Sequence, residues 1–173
     1  MSPITLMNEP AVRPKMFGTR IFVPVALREK MVDMLNQQLA DTFDLYSQVK
    51  QAHWNTKGPQ FYPLHLLFDD LAAKLAEFVD TIAERVTAIG GTAMGTARMA
   101  AAASRLPELS EGTLNGMSAV EALAVRYAAL SKTTRAAIET ATSSGAADDA
   151  DLLTEMSRAL DKALWFLEAH LQA

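Results

Sequence analysis

The chain has 173 residues, half of them hydrophobic, and it contains no cysteine. This length suits one domain with a sizeable core, and the absence of cysteine excludes disulfides, thiolate metal sites and redox thiols. The formal net charge of −4 argues against a globally basic nucleic-acid binder. The sequence shows no long apolar run and no apolar signal core, so we expect no membrane span, no secretory signal and a cytoplasmic location.

Residues 1–22 contain three prolines and no clean periodicity, which predicts an extended N-terminal arm ahead of a bundle domain at residues 23–173. Arg13, Lys15 and Arg20 make the arm weakly basic. Because three positive charges contribute little phosphate affinity at physiological salt, a packing or disordered tail is favoured over a DNA-binding arm.

A long first helix is predicted at residues 24–53, with its apolar side marked by residues such as Met31, Leu35 and Val49. His53 continues that side at the C-terminal end, so we expect it to point inward. Taken alone, it would be a core histidine. Trp54 follows His53, and a tryptophan is usually a packing residue whose indole N–H needs a hydrogen-bond partner. Gly58-Pro59 then marks the turn of a helical hairpin.

The second predicted helix begins near Pro63, which suits a first turn, and ends at Gly90-Gly91, which suits a C-terminus. Its apolar residues recur at spacings of three and four and form one stripe. They are Leu64, Leu67, Phe68, Leu71, Leu75, Phe78, Val79, Ile82, Val86 and Ile89.

Two polar pairs lie on another face of this helix, His65 with Asp69 and Asp80 with Glu84. Residues four apart on a helix can offer two ligand atoms to one metal ion. The two pairs are roughly 16 Å apart along the axis, so one helix cannot bring both to the same ion. A second, antiparallel copy can, and a two-fold axis near residue 74 or 75 would create two identical sites.

The small residues Ala72, Ala73 and Ala76 between the pairs would let two such helices approach closely. A solvated carboxylate face is the simpler interpretation of any single residue here. The set of residues at these spacings favours a metal site, with each monomer holding half-sites and His53 as a candidate further ligand.

The rest of the chain predicts a short helix at residues 98–105 and long helices at 118–142 and 149–171. Ser118 and Glu121 match a capping box, and His170 ends an apolar stripe and is taken as structural. The aspartates at the start of the last helix, Asp148, Asp149 and Asp151, suit the helix dipole. A role in lining an ion-entry pore is the less favoured alternative. Four long helices with one long crossover between the second and third predict an all-α, ferritin-like four-helix bundle with a short extra helix in that crossover.

The ligand candidates also carry a resemblance that covers about residues 24–171. The chain resembles the Dps family, the mini-ferritins named as DNA-binding proteins from starved cells. The segments that carry the resemblance include Gln51-Ala52-His53-Trp54-Asn55, Gly58, His65 with Asp69, Asp80-Thr81, Ala83-Glu84-Arg85 and Gly90-Gly91.

The resemblance implies a ferroxidase that oxidises Fe(II), commonly with hydrogen peroxide and otherwise with oxygen, and stores the ferric product in a hollow homododecamer. It implies that His53, His65 and Asp69 come from one chain and Asp80 and Glu84 from another, with Trp54 beside the site. Carboxylate and imidazole ligands suit iron in both oxidation states. Asp41 and Asp44 are candidates for a mineral-holding cavity, weighed equally against a solvated face.

The chain departs from the family pattern in its weakly basic arm and in a C-terminus without basic residues. The alternative function is a DNA-compacting protein with a secondary iron site, and the weak arm disfavours it. Association with the bacterial nucleoid is compatible with the expected cytoplasmic location. Other dinuclear enzymes carry Glu-x-x-His pairs within one bundle, and no such pair occurs here.

Overall fold

A computed structural model describes residues 15–110 and 115–172 of the chain, and within these ranges it contains five helices and no strand. The four long helices are α1 (Val25–Asn55), α2 (Phe61–Ala88), α4 (Met117–Ser143) and α5 (Ala147–Ala169). A short helix, α3 (Ala97–Ala103), lies in the connection between α2 and α4. The predicted all-α bundle with an extra helix in the crossover is therefore confirmed.

The helices pack as two antiparallel hairpins. α1 packs along α2 and α4 packs along α5, while α1 also contacts α3 and α4. The core is built from the predicted apolar stripes, and its largest fully buried side chains include Phe68, Leu35, Ile82, Leu123 and Tyr127. None of the described helices is both long enough and apolar enough to cross a membrane.

Proline and glycine set the ends of the first hairpin much as the sequence predicts. Pro24 is the N-cap of α1. Gly90 follows the C-terminus of α2 with φ +89°, a backbone conformation that side chains with a Cβ rarely adopt. A Cβ at this position would also lie only 2.5 Å from the carbonyl oxygen of Phe17. The second helix therefore ends where only glycine fits.

The described part of the N-terminal segment is fixed against this end of the bundle. The amide of Phe17 donates a hydrogen bond of 2.7 Å to the carbonyl of Gly90. The buried guanidinium of Arg28 donates to the carbonyls of Val23, Phe17 and Ile89. Residues 15–20 form neither helix nor strand. Residues 1–14, which hold most of the predicted arm, lie outside the described residues.

Two local predictions are wrong. Ser118 does not cap α4, because the helix begins one residue earlier and Gly116, with φ +53°, takes the N-cap position. His170 does not end a buried stripe, because α5 ends at Ala169 and the histidine is exposed at the C-cap.

Asp41 and Asp44 hold the crossover through contacts within the subunit. Asp41 is fully buried and accepts hydrogen bonds from the backbone and the guanidinium of Arg105. Asp44 accepts from Ser104 at 2.5 Å and from Gln48 at 3.1 Å. Asp41 is therefore closed off from solvent and does not fit a mineral-binding role, whereas Asp44 is half-buried and its role stays a prediction.

Candidate metal centre

The candidate centre is built at the turn between α1 and α2, where His53 and His65 meet. Their imidazole rings are stacked with 3.8 Å between centroids and 21° between planes. The Nδ1 atom of His53 lies 2.8 Å from the carbonyl oxygen of His65, and the Nδ1 atom of His65 lies 3.0 Å from the carbonyl oxygen of His53. The two residues are thus joined by a stack and by two reciprocal hydrogen bonds.

These contacts determine which ring nitrogen can bind a metal ion. A carbonyl oxygen only accepts hydrogen bonds, so each Nδ1 carries the proton and donates. In the neutral imidazole the lone pair is then on Nε2, the atom left for coordination. Ligating histidines in metal sites commonly have their other nitrogen fixed in this way. His53 is buried, as predicted, and His65 is half-buried.

Asp69 adds a carboxylate to the two imidazoles. Its Oδ1 atom lies 3.8 Å from Nε2 of His53 and 2.7 Å from the ammonium of Lys50. The hydrogen bond from Lys50 lowers the pKa of Asp69 below its usual value of 3.8, and the charge of Lys50 acts in the same direction. The carboxylate therefore stays ionised, as a metal ligand must. Lys50 is a contact that the sequence analysis missed, because nothing in the spacing singled it out.

Trp54 does not pack in the way that a buried indole would. Its side chain is 65 % exposed in the single chain, and the ammonium of Lys50 lies 5.7 Å from its ring centroid. The ring of Phe61 lies 5.1 Å from that of His65. A partly exposed phenylalanine therefore flanks His65, while the exposed tryptophan contacts Lys50, the residue that binds Asp69.

Asp80 and Glu84 lie further along α2 and are exposed. One chain does not bring them to the histidines, since the helix rise alone separates the two pairs by roughly 16 Å. Within residues 15–110 and 115–172, no three His, Asp or Glu side chains form a group that could hold a metal ion. Of the alanines between the pairs, Ala73 and Ala76 are exposed, but Ala72 is buried in the core and is not part of that face.

Comparison with known proteins identifies the class of this bundle. A family model described as a ferritin-like domain matches residues 32–173. Since this is most of the chain, the protein belongs to the ferritin-like family.

Curated relatives and solved structures give a narrower assignment. The chain is 39% identical over 158 residues to a DNA protection during starvation protein of Agrobacterium fabrum, covering 91% of this chain and 98% of the relative. An archaeal Dps homologue from Halobacterium salinarum superposes with a TM-score of 0.87 at 28% identity, covering 97% of this chain and 94% of that one. A Vibrio cholerae Dps, described as belonging to a superfamily of ferritin-like diiron-carboxylate proteins, superposes with a TM-score of 0.84 at 25% identity. The match covers 91% of this chain and 99% of that one. The chain is a member of the Dps family.

Proposed function

We propose that the protein is an iron-storing ferroxidase that protects DNA from oxidative damage. Fe(II) is the substrate and is oxidised at a centre shared by two copies of the chain. His53, His65 and Asp69 of one copy would bind it together with Asp80 and Glu84 of the other. The observation that carries the proposal is the reciprocal hydrogen bonding of His53 and His65, which leaves both Nε2 lone pairs free for metal beside the ionised Asp69.

The charge of Asp80 and Glu84 supports a role in cation binding. Among the described residues, neither carboxylate has a hydrogen-bond or ion-pair partner within the chain, although both are exposed on one face of α2. Residues at i and i+4 on a helix are neighbours, so the two carboxylates repel each other until a cation binds between them. The names of the curated relative and of the Vibrio cholerae structure, which mention DNA protection and diiron-carboxylate proteins, agree with iron as that cation.

Hydrogen peroxide is the proposed oxidant, with oxygen as the alternative. Two Fe(II) ions each give up one electron, the O–O bond breaks, two protons are taken up and two water molecules form. Because both electrons arrive together, little hydroxyl radical is released, which is how the chemistry would protect DNA. The ferric product would then be stored inside a hollow dodecamer.

The test is anaerobic loading with Fe(II) followed by one equivalent of peroxide. Wild type is compared with Asp80→Ala/Glu84→Ala, and the mass of the assembly is measured in parallel. We expect wild type to consume about one peroxide per two Fe(II) ions, and the double variant to lose fast consumption while its mass is unchanged.

A matched control is Glu29→Ala/Asp33→Ala on α1, which removes two exposed carboxylates at the same spacing. It should oxidise iron like wild type. Equal rates in all three proteins would show that Asp80 and Glu84 are not part of the centre. A DNA mobility shift that weakens with salt would then favour the DNA-compacting alternative.

A further inference from the structure

Lys50 brings a positive charge of the chain itself to the candidate metal centre. Its ammonium lies 2.7 Å from Oδ1 of Asp69, and the same oxygen lies 3.8 Å from Nε2 of His53. Only 20 % of the Lys50 side chain is exposed. The ion pair is therefore screened by solvent less than a pair on the open surface.

The gap between Nε2 of His53 and Oδ1 of Asp69 has the width of a metal site. Bonds from nitrogen and oxygen ligands to a divalent ion such as zinc are about 2 Å long, so an ion bonded to both atoms can span their 3.8 Å separation with a bent angle at the metal. Such an ion shares Oδ1 with the ammonium of Lys50. The two cations would then be at most about 5 Å apart, which is the 2.7 Å of the ion pair plus one bond of about 2 Å.

A metal ion and the Lys50 ammonium therefore compete for Asp69. Charges of the same sign repel each other strongly at this distance in a partly buried site. Trp54, one helical turn after Lys50 on α1, offers the ammonium a position away from Asp69. The ammonium is already 5.7 Å from the centroid of that exposed ring, within the range of a cation–π interaction.

We propose that Lys50 is a resident counter-ion of the iron centre, which the entering metal displaces from Asp69 towards Trp54 and whose return favours release of the oxidised ion. This inference rests on the proposed function. Before metal binds, the ammonium neutralises the carboxylate. Because Coulomb repulsion is proportional to the charge of the ion, the ammonium opposes Fe(III) more than Fe(II), so the product is held less tightly than it would be without Lys50.

The first test measures Zn(II) binding to the iron-free assembled protein by calorimetry. Zn(II) accepts nitrogen and oxygen ligands and does not change its oxidation state. Lys50→Met keeps a long unbranched side chain without the charge, and we expect it to bind Zn(II) about three- to tenfold more tightly, since no ion pair has to be broken. Lys50→Arg keeps the charge and should bind no more tightly than wild type. A gain in affinity is not the effect of a variant that merely disturbs the fold.

Lys74→Met is the matched control. Lys74 makes the same two kinds of contact elsewhere on α2, an ion pair of 2.5 Å with Glu77 and a distance of 5.0 Å to the ring centroid of Phe78. Glu77 is not a proposed iron ligand. The control should therefore bind Zn(II) with the affinity of wild type.

A double-mutant cycle tests Trp54 as the place to which the ammonium moves. Trp54→Leu should weaken Zn(II) binding when Lys50 is present, because the displaced ammonium loses the ring. The same substitution should have no effect in the Lys50→Met background. Equal effects in both backgrounds would overturn the assignment of Trp54.

Repeated additions of Fe(II) with peroxide test the release of product. Lys50→Met should oxidise each later addition more slowly than its own first addition, because Fe(III) is held at the centre for longer. Wild type and Lys74→Met should keep the rate of their first addition. A constant rate in Lys50→Met would overturn the role of Lys50 in product release.

The Zn(II) measurements separate this inference from the proposed function. Equal affinities in wild type and Lys50→Met, with weaker binding in Asp80→Ala/Glu84→Ala, would overturn the role of Lys50 and leave the shared centre intact. Equal affinities in all three proteins would overturn the shared centre as well.

Discussion

His53 and His65 each donate a hydrogen bond from Nδ1 to the backbone carbonyl of the other, with their rings stacked 3.8 Å apart. This relationship fixes two imidazoles on different helices in one orientation before any metal binds. Preorganised ligands lose less conformational entropy on binding.

His65→Phe keeps a ring that can stack on His53 but removes Nε2 and the Nδ1 donor. We expect Fe(II) affinity to fall by at least about tenfold, the scale of losing a partner in a metal site, and stability to fall by about 1 kcal/mol for the lost hydrogen bond. Anaerobic calorimetric titration with Fe(II) measures the first effect and urea unfolding the second.

His170→Phe is the control for this variant. His170 also bonds a carbonyl through Nδ1, that of Phe166 at 2.7 Å, but it is exposed, and no described contact joins it to the histidine pair. The His170→Phe variant should bind Fe(II) with the affinity of wild type. Unchanged iron affinity in His65→Phe would remove His65 from the ligand set.

Mixed assemblies test whether the centre is shared between chains. His65→Phe and Asp80→Ala/Glu84→Ala should each be inactive alone. When the two are unfolded together and reassembled, each mixed pair regains one intact centre, so random mixing should restore about a quarter of wild-type Fe(II) oxidation. If all ligands came from one chain, the mixture would stay as inactive as its components.

Lys50→Met tests the electrostatics at Asp69. The hydrogen bond from Lys50 is the largest cause of the lowered pKa of Asp69, so the variant should raise that pKa towards the usual 3.8. Because the folded-state pKa is depressed, the contribution of this pair to stability is present above the unfolded pKa and is lost as pH falls through the lower, folded value.

The measurement is an infrared titration of carbon-13-labelled aspartate in the iron-free protein, with the variant subtracted from wild type. Lys74→Met is the control, because Lys74 pairs with Glu77 on another face of α2. It should leave the titration of Asp69 unchanged. If wild type and Lys50→Met gave the same titration curve, the hydrogen bond from Lys50 would not be the cause of the lowered pKa of Asp69.

Gly90→Ala tests the junction between the N-terminal segment and the end of α2. The new Cβ would lie 2.5 Å from the carbonyl oxygen of Phe17 and 2.8 Å from Nη1 of Arg28, at a φ of +89°. We expect a loss of about 1–3 kcal/mol in the free energy of unfolding, measured with denaturant at fixed protein concentration. A Cβ at Gly18 meets nothing within 4 Å, so Gly18→Ala should be neutral. If both variants lost the same free energy of unfolding, the contacts at Gly90 would not be the cause of the loss.

The sequence predicts the helices well because their signals are local. Pro24 and Gly90 mark the ends of the first hairpin through backbone geometry, and the spacing of apolar residues marks the buried faces. The capping box at Ser118 failed for a local reason too: Gly116 can adopt the positive φ that starts α4 one residue earlier, and periodicity does not resolve a shift of one residue.

What the sequence could not show are contacts between distant segments. Asp41 is buried beneath Arg105, which lies 64 positions later and donates hydrogen bonds to it. No sequence pattern around either residue predicts this pairing. Lys50 at Asp69 is another such contact. The spacing did predict that His65 and Asp69 share one helix face, and the apolar pattern predicted that His53 points inward. The stack and the crossed hydrogen bonds depend on how two helices meet at a turn.

The crossed histidine bonds join residues only 12 positions apart, and contacts this local form early, on the timescale of helical-hairpin folding. Encounter of two chains is slower and depends on concentration. On the proposed shared centre, a newly folded single chain already holds the imidazoles in place yet lacks the opposing carboxylates. Oxidation of iron would then begin with assembly and not with folding, so that the reaction starts only as the shell that stores its product is being built.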